Sequence, residues 1–204
     1  MKKIIYFTIF ILPITLFSQK NLVPNFSFEL LNNCPNSFLY FPVQNWFSAN
    51  NGTPDVFNTC DYKGSNDVPY SSFGYQIPKS GNGYVGIYTY QYYKPNELTE
   101  YIETKLKNKL KINRLHYISF YVSLTGFSPC YTDAISLTLS KKIELDSNKT
   151  IRERHKAIIH QKGQIIKDTS NWTKISGIYT GNDEEYLIIG NFFQDKDVDR
   201  KSVV

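Results

Sequence analysis

Groups able to give and take protons, hold a metal or attack an electrophile are few in this chain, and they are poorly spaced for such work. The 3 histidines, His116, His155 and His160, form no His-Glu-x-x-His pattern and share no helix turn that would bring two imidazoles to one metal. They read as surface or packing residues. No Gly-x-Ser-x-Gly turn exposes a nucleophile, and no glycine-rich loop ends in Lys-Ser or Lys-Thr to cradle phosphate. Asp183-Glu184-Glu185 could be taken for an acid and base pair, but beside Gly181-Asn182 it reads as solvated turn charge. A non-enzymatic chain with no cofactor is the expectation. What stands out instead is Ser80 to Asn96, SGNGYVGIYTYQYYKPN, crowded with tyrosines and free of a catalytic acid or base among them. Such a run is either a binding surface or the outside of a β-sheet.

The elements that would carry these residues are short. Aromatic residues make up 16% of the 204-residue chain, which favours strands because flat rings pack well on a pleated surface, and the length suits one domain. From Asn21 onward, apolar or alternating runs are separated by Asn, Gly, Pro, Ser and Asp. Strands are expected at Leu22 to Phe28, Tyr84 to Tyr90, Tyr117 to Leu124, Ala134 to Leu139, Lys156 to His160, Trp172 to Thr180 and Glu185 to Phe192. Gly181-Asn182 is expected to close a hairpin between the last two. Tyr101 to Leu106 is ambiguous: Ile102, Thr104 and Leu106 alternate as in a strand, whereas Leu98, Tyr101, Ile102, Leu106 and Leu110 fall at helical spacing. Cys34 to Tyr75 reads as a long irregular region with one helical turn at Thr53 to Asn58, and Ser140 to Arg154 as a solvated excursion. The whole predicts an all-β antiparallel sandwich.

Lys2 and Lys3 followed by an apolar run from Ile4 to Phe17 read as a secretory signal peptide over residues 1–19. A membrane anchor is the competing reading, set back by Pro13 and by a run shorter than about 20 residues. No transmembrane span is expected once the signal is removed. The net charge of +5, two units of it in that segment, is too weak to argue for nucleic acid. Of the 3 cysteines, Cys34 and Cys60 flank the long loop and are expected to form a disulfide, with Cys130 unpaired; three free thiols are the alternative.

Several stretches resemble, in order, the strands of one family. Asn21-Leu-Val-Pro-Asn-Phe-Ser-Phe-Glu29 is similar to the "NLVPNGSFE" opening of carbohydrate-binding modules with the galactose-binding-like jelly-roll fold, with Phe26 in place of the usual glycine. Gly81 to Gly86, Glu100 to Leu106, His116 to Ser123 and Asn171 to Gly177 resemble later strands, so the likeness spans most of Asn21 to Phe193. It resembles more narrowly the N-terminal modules of exported gram-negative proteins that often carry an OmpA-like or surface-sorting domain behind them. The resemblance implies a β-sandwich module over residues 20–193 and makes Tyr101 to Leu106 a strand. It also implies a place in the periplasm, outer membrane or cell surface.

In a sugar-binding jelly roll, ring faces contact C–H-rich pyranose surfaces while amides bind hydroxyls. Asn45, Trp46, Tyr75, Gln76, Tyr90, Gln91, Tyr92 and Tyr93 supply that mixture as candidate ligand-binding residues. A glycan or cell-envelope polymer is the expected partner. The alternative is a structural or adhesion module that touches envelope proteins without binding glycan. In the family, the opening glutamate and an aspartate of the closing strand hold a structural calcium. Glu29 is present here and the aspartate's strand is not, so calcium binding is expected only in a longer form of the chain. Residues 194–204 are expected to be an irregular tail, leaving the first strand as an exposed edge.

Overall fold

Antiparallel pairing of short strands organises the molecule. The computed structural model describes residues 20–38, 40–90, 99–145 and 151–202. The described strands are β1 (Trp46–Ser48), β2 (Asp55–Asn58), β3 (Tyr70–Ser71), β4 (Gly74–Tyr75), β5 (Gly83–Gly86), β6 (Ile102–Lys105), β7 (Leu115–Val122), β8 (Cys130–Thr132), β9 (Ser136–Ser140), β10 (Ile159–His160), β11 (Thr173–Thr180), β12 (Tyr186–Gly190) and β13 (Arg200–Ser202). One short helix, α1 (Ile151–Arg154), and a 3₁₀ turn at Asp195–Asp197 are the described helical elements. Every strand pairing is antiparallel. The chain is thus nearly all-β, with antiparallel sheets. No helix among the described residues is long and apolar enough to cross a membrane.

A five-stranded sheet runs in the order β1-β6-β12-β9-β10, and β7 pairs with β11 in a separate ladder. Side chains of successive residues in a strand point to opposite faces, and here both faces of the larger sheet are apolar. Ile102, Leu137, Leu139, Leu187 and Ile159 join one cluster with Ile175 of β11 and with the partly buried Ile118 and Phe120 of β7. The intervening residues Tyr101 and Ile188 join a second cluster with Ile151 and Phe192. Among its described residues, Ser140 to Arg154 is a solvated excursion only in part: Lys141, Lys142, Ile143, Leu145 and Glu153 are exposed, but Ser140 ends β9, Glu144 and Ile151 are buried, and Ile151 covers the sheet's second face.

Leu22 to Phe28 forms turns rather than a strand. Asn25 and Phe28 adopt left-handed φ values of 41° and 62°, and the Phe28 N–H donates to Asn25 O at 3.0 Å. The Asn25 amide takes the Leu30 N–H and donates to Leu30 O and Gln44 O, local bonds that compete with a ladder. With no first strand there, no exposed first-strand edge exists. The helical turn expected at Thr53 to Asn58 is also corrected, since Asp55 to Asn58 pair with Gly83 to Gly86 as β2 and β5.

Gly181-Asn182 does not close a hairpin, because β11 and β12 belong to different sheets. The corner is instead tied to the turn before β7: Gly181 N–H donates to Arg114 O at 2.8 Å and Asn113 N–H to Gly181 O at 2.9 Å. A Cβ at Gly181 would come 2.6 Å from Lys111 O, so only glycine fits this approach. The expected irregular tail is corrected at β13, which pairs with β8. Asp133 anchors it by accepting the Asp199 N–H at 2.9 Å. Cys34 and Cys60 are disulfide-bonded with Cα atoms 5.9 Å apart, while Cys130 is free and buried.

Candidate functional site

At the start of β1 the backbone turns sharply, with Asn45 in the left-handed region at φ 68°. A non-glycine residue held there costs energy and needs support from its surroundings. The Thr104 hydroxyl gives some of it, donating to Asn45 O at 2.7 Å. The result is a shallow depression of about 570 Å³ lined by Asn32, Val43, Gln44, Asn45, Trp46, Phe47 and Lys105. The side-chain amides of Asn32 and Asn45 make no hydrogen bond among the described residues. The Gln44 amide N–H donates to Leu31 O at 3.1 Å, which holds it in place. Lys105 Nζ lies 3.6 Å from Glu185 Oε2. The depression therefore combines amides without a protein partner, the aromatic residues Trp46 and Phe47, and a cation.

Trp46 is not the open platform that its residue type suggests. It is only 6% exposed, its ring lies 5.0 Å from that of Phe28, and its indole N–H donates to Pro24 O and Asn25 O at 3.2 Å. A ring buried on its apolar faces with its N–H satisfied is a core anchor. Gln76 is likewise committed: it is buried, donates to Ile77 O at 2.9 Å and accepts the Ser123 hydroxyl at 2.7 Å. Tyr75 is exposed and meets Tyr70 edge-on at 4.9 Å. Tyr90 sits under the Arg200 guanidinium, 5.1 Å from the ring centroid, and accepts a hydrogen bond from it. The expected residues thus rest against different elements instead of forming one cluster. Gln91, Tyr92 and Tyr93 lie outside the described residues. The other tyrosines of that run answer to packing: Tyr84 stacks on Phe57 at 5.0 Å and meets Trp172 at 5.7 Å, and Tyr88 faces Phe73.

Glu29 is committed as well. Its two oxygens accept the Asn82 backbone N–H, each at 3.0 Å, and one also accepts the Asn82 side-chain amide. Its carboxylate is a clamp on the Gly81-Asn82 turn. Among the described residues, no group of three or more His, Cys, Asp or Glu is placed to share a metal ion.

Two arrangements escaped the reading of the sequence. The first is a set of buried carboxyls. Glu100 accepts the Thr53 and Tyr88 N–H groups at 2.9 Å each, and burial raises its pKa. Burial, with the Glu100 charge second, pushes Asp55 up to about 7. Burial, with Glu144 as a further cause, lifts Glu103 to about 8, although both its oxygens accept the Glu144 N–H. Glu144 in turn meets Arg154 Nη2 at 2.8 Å and His155 Nε2 at 3.1 Å. Glu184, expected in solvent, is buried and accepts the Tyr179 hydroxyl at 2.6 Å and the Asn182 N–H at 2.7 Å.

The second is the outer face of the β7–β11 ladder, where Leu115, Tyr117, Ser119 and Tyr121 face outward opposite Thr180, Ile178, Ser176 and Lys174. The alternation of YISFYVSL marks Tyr117 and Tyr121 as sharing one face; nothing local says that the face stays uncovered.

No protein-family model, curated protein or solved structure matches the chain.

Proposed function

We propose that this chain is an exported, non-enzymatic β-sandwich module of the bacterial cell envelope, of the galactose-binding-like jelly-roll kind, that binds carbohydrate or another surface polymer. The observation that carries the reading is the depression beside Asn45. The exposed amides of Asn32 and Asn45 line it with no protein partner among the described residues. An amide offers both donors and an acceptor, which suits the paired donor and acceptor character of sugar hydroxyls, and the Phe47 ring adds an apolar contact. The described lining contains no carboxylate, histidine or hydroxyl that would take part in bond cleavage. The Cys34–Cys60 disulfide supports an oxidising compartment, and the Lys2-Lys3 and Ile4 to Phe17 pattern supports export.

The test is a glycan array and affinity gel electrophoresis with neutral polysaccharides, comparing the native chain with Asn45→Ala and Phe47→Ala. The expected result is retardation on at least one neutral glycan, weakened about tenfold in Asn45→Ala, the scale of one or two lost hydrogen bonds. Absence of retardation, together with capture of an envelope protein, would return the chain to the adhesion alternative.

A further inference from the structure

Away from the depression, the outer face of the β7–β11 ladder carries cations without counter-charge. Along it Leu115 is 73% exposed, Ile178 69%, Tyr117 58% and Tyr121 41%. Lys174 Nζ lies 5.3 Å from the Tyr117 ring centroid and 5.9 Å from that of Tyr121, while Lys79 Nζ sits 4.8 Å from the Tyr121 centroid. An ammonium over a ring face is held by the ring quadrupole, and that keeps both charges in the plane of the strip. Ser119 and Ser176 oppose each other between the tyrosines. Hydrogen bonds, that with Ser176 foremost and that with Lys174 next, hold the Tyr117 phenol below its usual range. The outward residues of the two strands include no aspartate or glutamate, and neither lysine has an ion-pair partner among the described residues.

We infer that this strip is a second binding surface, distinct from the depression, and that it takes a polysaccharide bearing carboxylate groups. Unpaired ammoniums on an acid-free face attract anions. The row of phenol and serine hydroxyls between them offers the donors and acceptors that sugar hydroxyls need. The backbones of Tyr117 and Tyr121 stand four residues apart in an extended strand, about 14 Å at roughly 3.4 Å per residue, and the exposed face continues to Leu115 and Ile178, so the strip is longer than a single sugar and reads an extended chain. Leu115 and Ile178 at its far end give an apolar shelf for ring C–H groups. A second copy of the chain is a poorer occupant, because a two-fold contact presents the same patch from both sides and would set lysines against lysines with no acid to neutralise them.

Titration calorimetry of the full chain with polygalacturonate, and with dextran as the neutral control, tests this directly. Polygalacturonate binds, and binds more weakly as salt rises, because exposed charges are screened. The Lys79→Ala/Lys174→Ala double variant loses about five- to tenfold in affinity, the scale of two exposed charge contacts, and Tyr117→Ala/Tyr121→Ala loses a similar factor. Asn45→Ala leaves polygalacturonate binding unchanged. Lys79, Lys174, Tyr117 and Tyr121 are exposed, and an unchanged melting temperature in their variants shows that they fold, while Asn45→Ala melts somewhat lower because alanine tolerates the left-handed φ at that position less well. Failure of the native chain to bind polygalacturonate, or full affinity in the lysine double variant, overturns the inference. So does polyglutamate competing with equal affinity, which would assign the strip to an acidic protein. So does self-association abolished by the same lysine substitutions. The depression is judged separately, by neutral glycans and Asn45→Ala, so either reading can fail alone.

Discussion

The five-stranded sheet and the β7–β11 ladder are built from similar residue types and end in opposite situations. In the sheet, β6, β9 and β12 are covered on both faces, and residues as polar as Glu103, Thr104 and Thr138 are buried with the isoleucines and leucines. In the ladder, Ile175 is fully buried and Ile178, three residues on, is 69% exposed. The difference teaches that an aromatic or aliphatic residue here is available to a partner only where its outer side has no cover. Inside the sheet the same residues do nothing but hold the layers together.

The sharpest way to break that comparison is to truncate one isoleucine on each side. Ile188→Ala, in the centre of β12, is expected to cost about 2–5 kcal/mol through lost burial and the cavity left behind, whereas Ile178→Ala changes stability by less than about 0.5 kcal/mol. Chemical denaturation of both variants checks this; equal losses would show that the ladder's outer face is covered after all.

Next in size is the Cys34–Cys60 bridge, which closes a segment of sequence separation 26. Removing it as Cys34→Ala/Cys60→Ala is expected to destabilise by about 3 kcal/mol in the chain-entropy account. The loss should be confined to thermodynamic stability, with the outward strip still binding polygalacturonate, since no residue of the strip lies in the bridged segment.

A third effect is a pH dependence that belongs to the buried acids. Asp55 is raised from 3.8 to about 7 and Glu103 from 4.5 to about 8. A folded-state pKa above the unfolded value means that the folded chain holds the proton more tightly than the unfolded one. Their contribution is therefore fully present below about pH 4 and is lost as the pH rises through 7 to 8. From these two groups the melting temperature falls by several degrees between pH 5 and pH 8.5, and Asp55→Asn with Glu103→Gln flattens the slope. A melting temperature rising across that interval, with the slope unchanged by the substitutions, would contradict the burial that raises these acids.

Much of the strand inventory was legible because alternation is a local property. Tyr117 to Leu124, Ala134 to Leu139 and Trp172 to Thr180 each overlap an observed strand. Tyr101 to Leu106 was blurred for a physical reason: Tyr101 and Ile102 are adjacent yet serve opposite apolar clusters, so a strand buried on both faces loses its period of two and imitates a helix. The opening segment failed because Asn25 satisfies neighbouring backbone groups with its own amide, a competition that apolar patterning does not register. Of the expected binding residues, Asn45 and Trp46 border the depression, while Trp46 and Gln76 are buried, because residue type is silent about which side of a strand is covered.

Alternating side chains and turn residues are enough to specify an antiparallel β chain, since each depends on neighbours a few residues away, whereas cysteine placement left the Cys34–Cys60 bridge beside the alternative of free thiols until the fold brought their Cα atoms to 5.9 Å. Strand partners depend on contacts across the whole chain. Only the tertiary structure sends β11 to β7 and β12 to β6 and β9 across the Gly181 corner, buries Trp46, Gln76 and Glu184, and leaves Tyr117, Tyr121, Lys79 and Lys174 together at the surface. Burial is decided by what lies opposite a residue in space, and no local pattern carries that information.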